Sequence, residues 1–106
     1  MLFRSAVEWT ARARTDMREL HAYIAQDSPH YARRFVEKIF KAVEALTGHP
    51  QIGRKVPEAD REDIRELIFQ NYRIIYRTKP EHVYIVTVIH GSRDLTGQEK
   101  KPWEVA

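Results

Sequence analysis

IRELIFQNYRIIYR, residues 64–77, decides the fold. Two runs rich in isoleucine and aromatic residues flank Gln70-Asn71, and a two-residue connection between such runs is the mark of a tight antiparallel hairpin. Pairing Phe69 with Tyr72 puts Arg65, Leu67, Phe69, Tyr72, Ile74 and Tyr76 on one face, because side chains alternate along a strand. Ile64, Glu66, Ile68, Arg73, Ile75 and Arg77 fall on the other. A third strand, Val83 to His90, follows the turn Lys79-Pro80-Glu81-His82. Pairing Tyr76 with Tyr84 extends the first face through Val86, Val88 and His90, and the second through Ile85, Thr87 and Ile89. The first face is the more apolar and is expected under helices. The second carries too many isoleucines for a solvated surface, so the Trp103 tail, a segment of another protein or a second copy should cover part of it.

Upstream, Phe3 to Trp9 alternates as a short strand, and Thr10 is placed to cap a helix. Ala13, Met17, Leu20 and Ile24 form one amphipathic stripe that should end near Asp27. Ser28-Pro29 starts a second helix, with the serine oxygen accepting an orphan N–H and proline at the first helical position. Ala32, Phe35, Ile39, Ala42 and Leu46 make its main stripe, and Val36, Phe40 and Val43 widen the apolar arc beyond what one neighbour needs. Gly48 and Pro50 stop that helix, and a loop runs from His49 to about Asp63. The order is β-α-α-β-β-β, an α+β fold in which a helical hairpin lies on a twisted antiparallel sheet. At 106 residues it predicts one domain over 1–106, with an irregular tail over 91–106.

Hydrophobic residues make up 42% and charged residues 31%, which excludes a disordered chain, and no apolar run approaches the roughly 20 residues of a membrane span. The N-terminus MLFRSAVEW shows no export signal and cysteine is absent, both consistent with a cytoplasmic location. The formal charge of +3 permits contact with nucleic acid or an acidic protein and selects neither.

Four segments, VEWTARARTDMRELHAYIA, HPQIGRKVPE, IRELIFQNYRIIYR and IVTVIHGSRDL, make the chain resemble the RelE/ParE toxin superfamily from Phe3 to Leu95. The resemblance implies a toxin of a type II toxin-antitoxin system, acting in plasmid stabilisation or growth arrest. It also implies a cognate antitoxin whose C-terminal segment wraps the toxin, in a heterotetramer or beside a toxin homodimer. RelE-like members cut mRNA on the ribosome, whereas ParE-like members inhibit DNA gyrase without a hydrolytic site. Arg65-Glu66-Leu67, the run Asn71 to Arg77 and the run His90 to Leu95 look closer to ParE.

An RNA-cleaving site needs a base, an acid and cations around the phosphorane. His90 or Glu66 is the candidate base, Tyr76 the acid, and Arg65, Arg73 or Arg77 the cations. The RelE-like catalytic set would be Arg65, Arg73, Tyr76 and His90. Its bland alternative is a strand-end histidine packed in the core and sheet arginines paired with carboxylates, and His90 and Arg73 fall on opposite faces. Arg54, Lys55, Arg77 and Arg93 are candidates for target binding, and Val36, Phe40, Val43 and Ile75 for antitoxin binding. The basic residues of the two helices alternate with Asp16, Glu19 and Glu37 and describe a solvated face. The five histidines lack metal-ligand spacing and the four glycines are scattered, so neither a metal nor another cofactor is expected.

Overall fold

The hairpin forms as its sequence demands. In the computed structural model, which describes residues 4–98 and 100–105, Phe69 lies opposite Tyr72, joining β3 (Ile64–Phe69) to β4 (Tyr72–Lys79) in antiparallel pairing. Gln70 takes the left-handed conformation the tight turn requires, with φ of 52°. β4 pairs antiparallel with β5 (His82–His90), and a two-residue strand inside the expected loop, β2 (Arg54–Lys55), adds to β3. β1 (Ala6–Trp9) closes the other edge by pairing with β5 in parallel, so the sheet is mixed, in the order β1-β5-β4-β3-β2. The connection from β1 to β5 runs through the helical hairpin and then β2, β3 and β4, long enough for the two strands to lie parallel. Phe3, assigned to the first strand by its alternation, lies outside the described residues.

Helix α1 (Ala11–Ala25) starts at Thr10, whose side chain accepts from the Ala13 N–H at 3.1 Å, and α2 (Pro29–Glu44) starts at Ser28, which accepts from Tyr31 N–H at 3.1 Å. A 3-10 turn, Ala45–Thr47, extends α2, and its Thr47 carbonyl accepts from the Ser5 N–H beside β1 at 2.8 Å. No helix among the described residues is long and apolar enough to cross a membrane. Ala13 and Met17 meet Phe35, Ile39, Val43 and Leu46 over Ile74, Tyr76, Val83, Ile85 and Val88. Each such fully buried large side chain contributes about 2 kcal/mol.

Val83 and Ile85 stand in this core because β5 is bulged. Ile75 pairs with Thr87 but Tyr76 pairs with Ile85, leaving Val86 as the extra residue, so the expected pairing of Tyr76 with Tyr84 does not occur. Val88 and Ile89, after the bulge, lie on the expected faces; at the bulge and before it the faces exchange, so that Val83 and Ile85 turn to the helices and Tyr84 and Val86 to the opposite side. The first turn of α1 holds the distortion in place. Thr10 N–H donates to the Ile85 carbonyl at 3.0 Å and its hydroxyl to the Val86 carbonyl at 3.2 Å. The Asp16 carboxylate accepts from Val88 N–H at 3.1 Å and from the Thr87 hydroxyl.

The isoleucine-rich face has a cover of its own. Leu95 and Trp103 pack with Val56 on Ile64, Ile75, Val86 and Ile89, making a second core from the chain's own tail. The tail is more ordered than its composition suggests, ending in a 3-10 turn over Pro102–Val105. Lys101 Nζ donates to the carbonyls of Leu95, Thr96 and Gln98 at 2.7, 2.9 and 2.7 Å, which closes the loop between the two apolar anchors.

Asp16→Ala strips Val88 N–H and the Thr87 hydroxyl of their shared acceptor inside the fold. It should lower stability by about 2 kcal/mol in chemical denaturation, and an unchanged midpoint would show that the bulge holds without the helix.

Candidate functional site

The loop that precedes β3 is pinned from beneath. Gly53 N–H donates to the Tyr76 hydroxyl at 2.9 Å, and a Cβ at Gly53 would lie 2.5 Å from the Glu66 carbonyl oxygen, so only glycine lets the loop approach this closely. Arg65, mostly buried, donates to the Gly53 carbonyl at 2.8 Å and to the Glu62 carbonyl and carboxylate at 3.0 and 2.8 Å. Tyr76 is fully buried, and burial pushes its phenol above the ordinary value.

Beside this anchor lies a chain of alternating charges. Arg73, 4% exposed, donates through Nε to Glu66 at 2.6 Å and through both terminal nitrogens to Glu58 at 2.8 and 2.7 Å. Arg54 reaches the second oxygen of Glu66 at 2.6 Å from the solvent side. Arg73 also donates to the Arg93 carbonyl at 3.0 Å, and Glu58 accepts from Leu95 N–H at 3.2 Å. Two guanidinium groups and two carboxylates therefore balance, as buried charges must. The hydrogen bonds from Arg73 hold the Glu58 carboxyl down at about 2, and Glu58 in turn keeps Arg73 firmly protonated.

The expected catalytic set forms two pairs with their polar groups engaged: Arg65 and Tyr76 face each other across β3 and β4 and both hold Gly53, while Arg73 and His90, expected on opposite faces, line one surface basin. The hydroxyl of Tyr76 is spent on Gly53, Arg65 on the loop, and Arg73 on two carboxylates, while His90 is exposed and engages Ser92 Oγ through Nδ1 at 2.7 Å. His90 also packs edge-on against Tyr72, which continues through Phe35 toward the helices. Glu66, the other candidate base, is buried between Arg54 and Arg73.

Of the four target-binding candidates, two line one surface basin of about 730 Å³. Arg54 and Arg93 stand around it with His90 and the exposed Ile68, and Arg73 lies in its floor. Lys55 instead approaches Asp60 and Glu62 at 3.6 and 3.7 Å, and Arg77 faces Asp63 at 3.5 Å and the Trp103 carbonyl at 3.4 Å. Among the antitoxin candidates, Phe40 is 47% exposed and Val36 half-buried, but Val43 and Ile75 are core residues and offer no surface. Both belong to stripes whose positions serve packing first. Sequence patterning missed Glu58, a single carboxylate in a loop with no periodicity to single it out, and Trp9, whose ring meets Phe40 edge-on at 5.0 Å.

A family model described as the ParE toxin of the type II toxin-antitoxin system, parDE, matches residues 7–95. Y4kP of Sinorhizobium fredii is 38% identical over 90 residues, covering 83% of this chain and 90% of that protein. Toxin RelE2 of Caulobacter vibrioides is 32% identical over 87 residues, covering 82% and 96%. Among solved structures, the chromosomal ParDE toxin-antitoxin system of P. aeruginosa superposes with a TM-score of 0.68 at 20% identity, over 82% of this chain and 96% of that one. The toxin-antitoxin complex RelBE2 of Mycobacterium tuberculosis gives 0.57 at 24% identity, over 85% and 94%.

Glu58 carries a pH signature. Its folded value, about 2, lies below the ordinary 4.5, so its contribution to stability is complete above about 4.5 and fades as the pH falls toward 2. Glu58→Gln should lower the urea midpoint near neutral pH and flatten its decline across that acid window. A variant as acid-sensitive as the parent would show that Glu58 does not carry this dependence.

Proposed function

Because the chain belongs to the ParE toxin family of type II toxin-antitoxin systems, we propose that it arrests growth by binding DNA gyrase, breaks no bond itself, and is held inactive by a cognate antitoxin. The observation that supports this reading is that the acid and the cations RNA cleavage would need are buried or already engaged within the fold. Proton transfer to a leaving oxygen requires an acid within hydrogen-bond reach of it, and the phenol of Tyr76 is sealed under the Gly53 loop. Cations that stabilise a phosphorane must be free to face it, and Arg73 is already neutralised by Glu58 and Glu66. The alternative, ribosome-dependent mRNA cleavage by Arg65, Arg73, Tyr76 and His90, would require the Gly53 loop and the Glu58 clamp to open first.

A binding inhibitor needs none of this. It needs a rigid surface with apolar and charged contacts in fixed positions, and the basin around Ile68, Arg54, Arg93 and His90 supplies one. The ion pairs beneath it add rigidity, since Arg73 fixes the Arg93 main chain and Glu66 fixes the Arg54 side chain. Gyrase as target places the toxin in the cytoplasm.

The purified chain should inhibit supercoiling by purified gyrase, and Arg93→Glu and Ile68→Asp should weaken that inhibition by about tenfold or more. His90→Ala should leave transcripts unchanged, as the parent does. Full supercoiling at saturating chain, with new mRNA ends after induction that vanish in His90→Ala, would replace this reading with the nuclease.

A further inference from the structure

Two depressions beside β1 meet at one ridge, where the ring of Trp9 touches Phe40 edge-on at 5.0 Å. The larger, about 800 Å³, lies toward α1 and is bordered by Arg14, Arg18 and His21. The smaller, about 530 Å³, lies along α2 and is bordered by Glu37, Lys41 and Glu44. Phe40 belongs to both and keeps 47% of its surface open, a large exposure for a phenylalanine on a capped helix. The two flanks carry opposite charge. On the α1 side Arg14 donates to the Trp9 carbonyl at 2.5 Å and Arg18 to the Thr15 hydroxyl at 3.1 Å, contacts that leave both guanidinium charges standing. On the α2 side two glutamates outnumber Lys41, and Glu37 meets the exposed Arg33 at 3.9 Å, too weak a contact in water to hold it.

We propose that in the free chain this surface is the contact between two copies, related by a two-fold axis that runs along the Trp9–Phe40 ridge. A surface that closes on itself must carry complementary features on either side of such an axis, because the rotation lays each flank of one copy on the other flank of its mate. Here the rotation sets the basic border of α1 against the acidic border of α2 at both ends, while Phe40 of each copy enters the larger depression of the other. Arg18 is matched with Glu37 across the axis. Val36 lines the depression that Arg18 borders, and Glu37 is the next residue of α2 on the opposite flank, so the two charges stand at nearly the same height along the ridge. The pair then occurs twice in the dimer. An acidic partner would satisfy α1 and meet Glu37 and Glu44 with like charge, and a basic one would do the reverse. A partner with both signs in exchanged order suits the whole surface, and a second copy supplies that order by symmetry.

Sedimentation equilibrium of the full chain, free of other proteins, tests this. The apparent mass should rise with concentration toward twice the 12.5 kDa of one chain. Phe40→Asp should weaken self-association about a hundredfold. Arg18→Glu alone and Glu37→Arg alone should each weaken it about tenfold, because each sets like charges together at both symmetric positions. Mixed in equal amounts, with a donor dye on one and an acceptor dye on the other, those two variants should pair within about threefold of the parent affinity, since the mixed dimer restores opposite charges at both positions. Arg34→Glu/Lys38→Glu, exposed on α2 outside both depressions, should stay within about twofold of the parent. A melting curve reveals any loss of folding in Phe40→Asp, and the charge variants, at exposed positions, decide the matter without it. A parent that stays monomeric at about 1 mM, self-association that a folded Phe40→Asp leaves intact, or single charge variants that fail to pair when mixed would overturn the proposal. None of these readouts involves gyrase or an antitoxin, so their failure leaves the proposed target untouched.

Discussion

Arg73 is the point at which four separated parts of the chain are tied together. Its guanidinium joins β4 to Glu66 on β3, to Glu58 in the loop and to the Arg93 carbonyl at the head of the tail. Removing a guanidinium from water is expensive, and the expense is offset only because every one of these partners is in place at once. The arrangement is cooperative for that reason. A tail that came away would leave Glu58 short of Leu95 N–H, and a loop that came away would leave Arg73 with half its carboxylates.

The same economy explains the second anchor. Val86 is one residue too many for regular pairing with β4, and an extra residue in a strand leaves backbone groups without partners. Thr10 and Asp16 satisfy them from the first turns of α1, so the helix cap and the strand irregularity are one feature. It ties the start of α1 to β5 next to Trp9, whose ring meets Phe40 of α2 edge-on at 5.0 Å.

Much of this architecture was legible in the amino-acid order. The Gln70-Asn71 turn fixed the register of β3 and β4, Thr10 and Ser28 marked the helix starts, and the excess of isoleucine on one sheet face announced a second cover, which Trp103 and Leu95 provide. What escaped was non-local. The bulge has no glycine to betray it, the two residues of β2 are too few for a periodic signal, and parallel pairing of β1 depends on where the hairpin delivers Trp9 rather than on β1 itself. The candidate site was less legible than the fold. Arginine, glutamate and tyrosine on a sheet can be spent on one another or offered to a substrate, and only the position of Glu58 and Gly53 in space shows that Arg73 and Tyr76 are spent.

Helices occupy one face of the sheet and the tail covers part of the other, so among the described residues most of the sheet surface is spent on the two cores. What stays open lies at the perimeter: the outer flanks of the helices, the edges at β1 and β2, and the basin where the hairpin turn meets the start of the tail. The depression around Trp9 and Phe40 and the basin beside the hairpin turn have no lining residue in common.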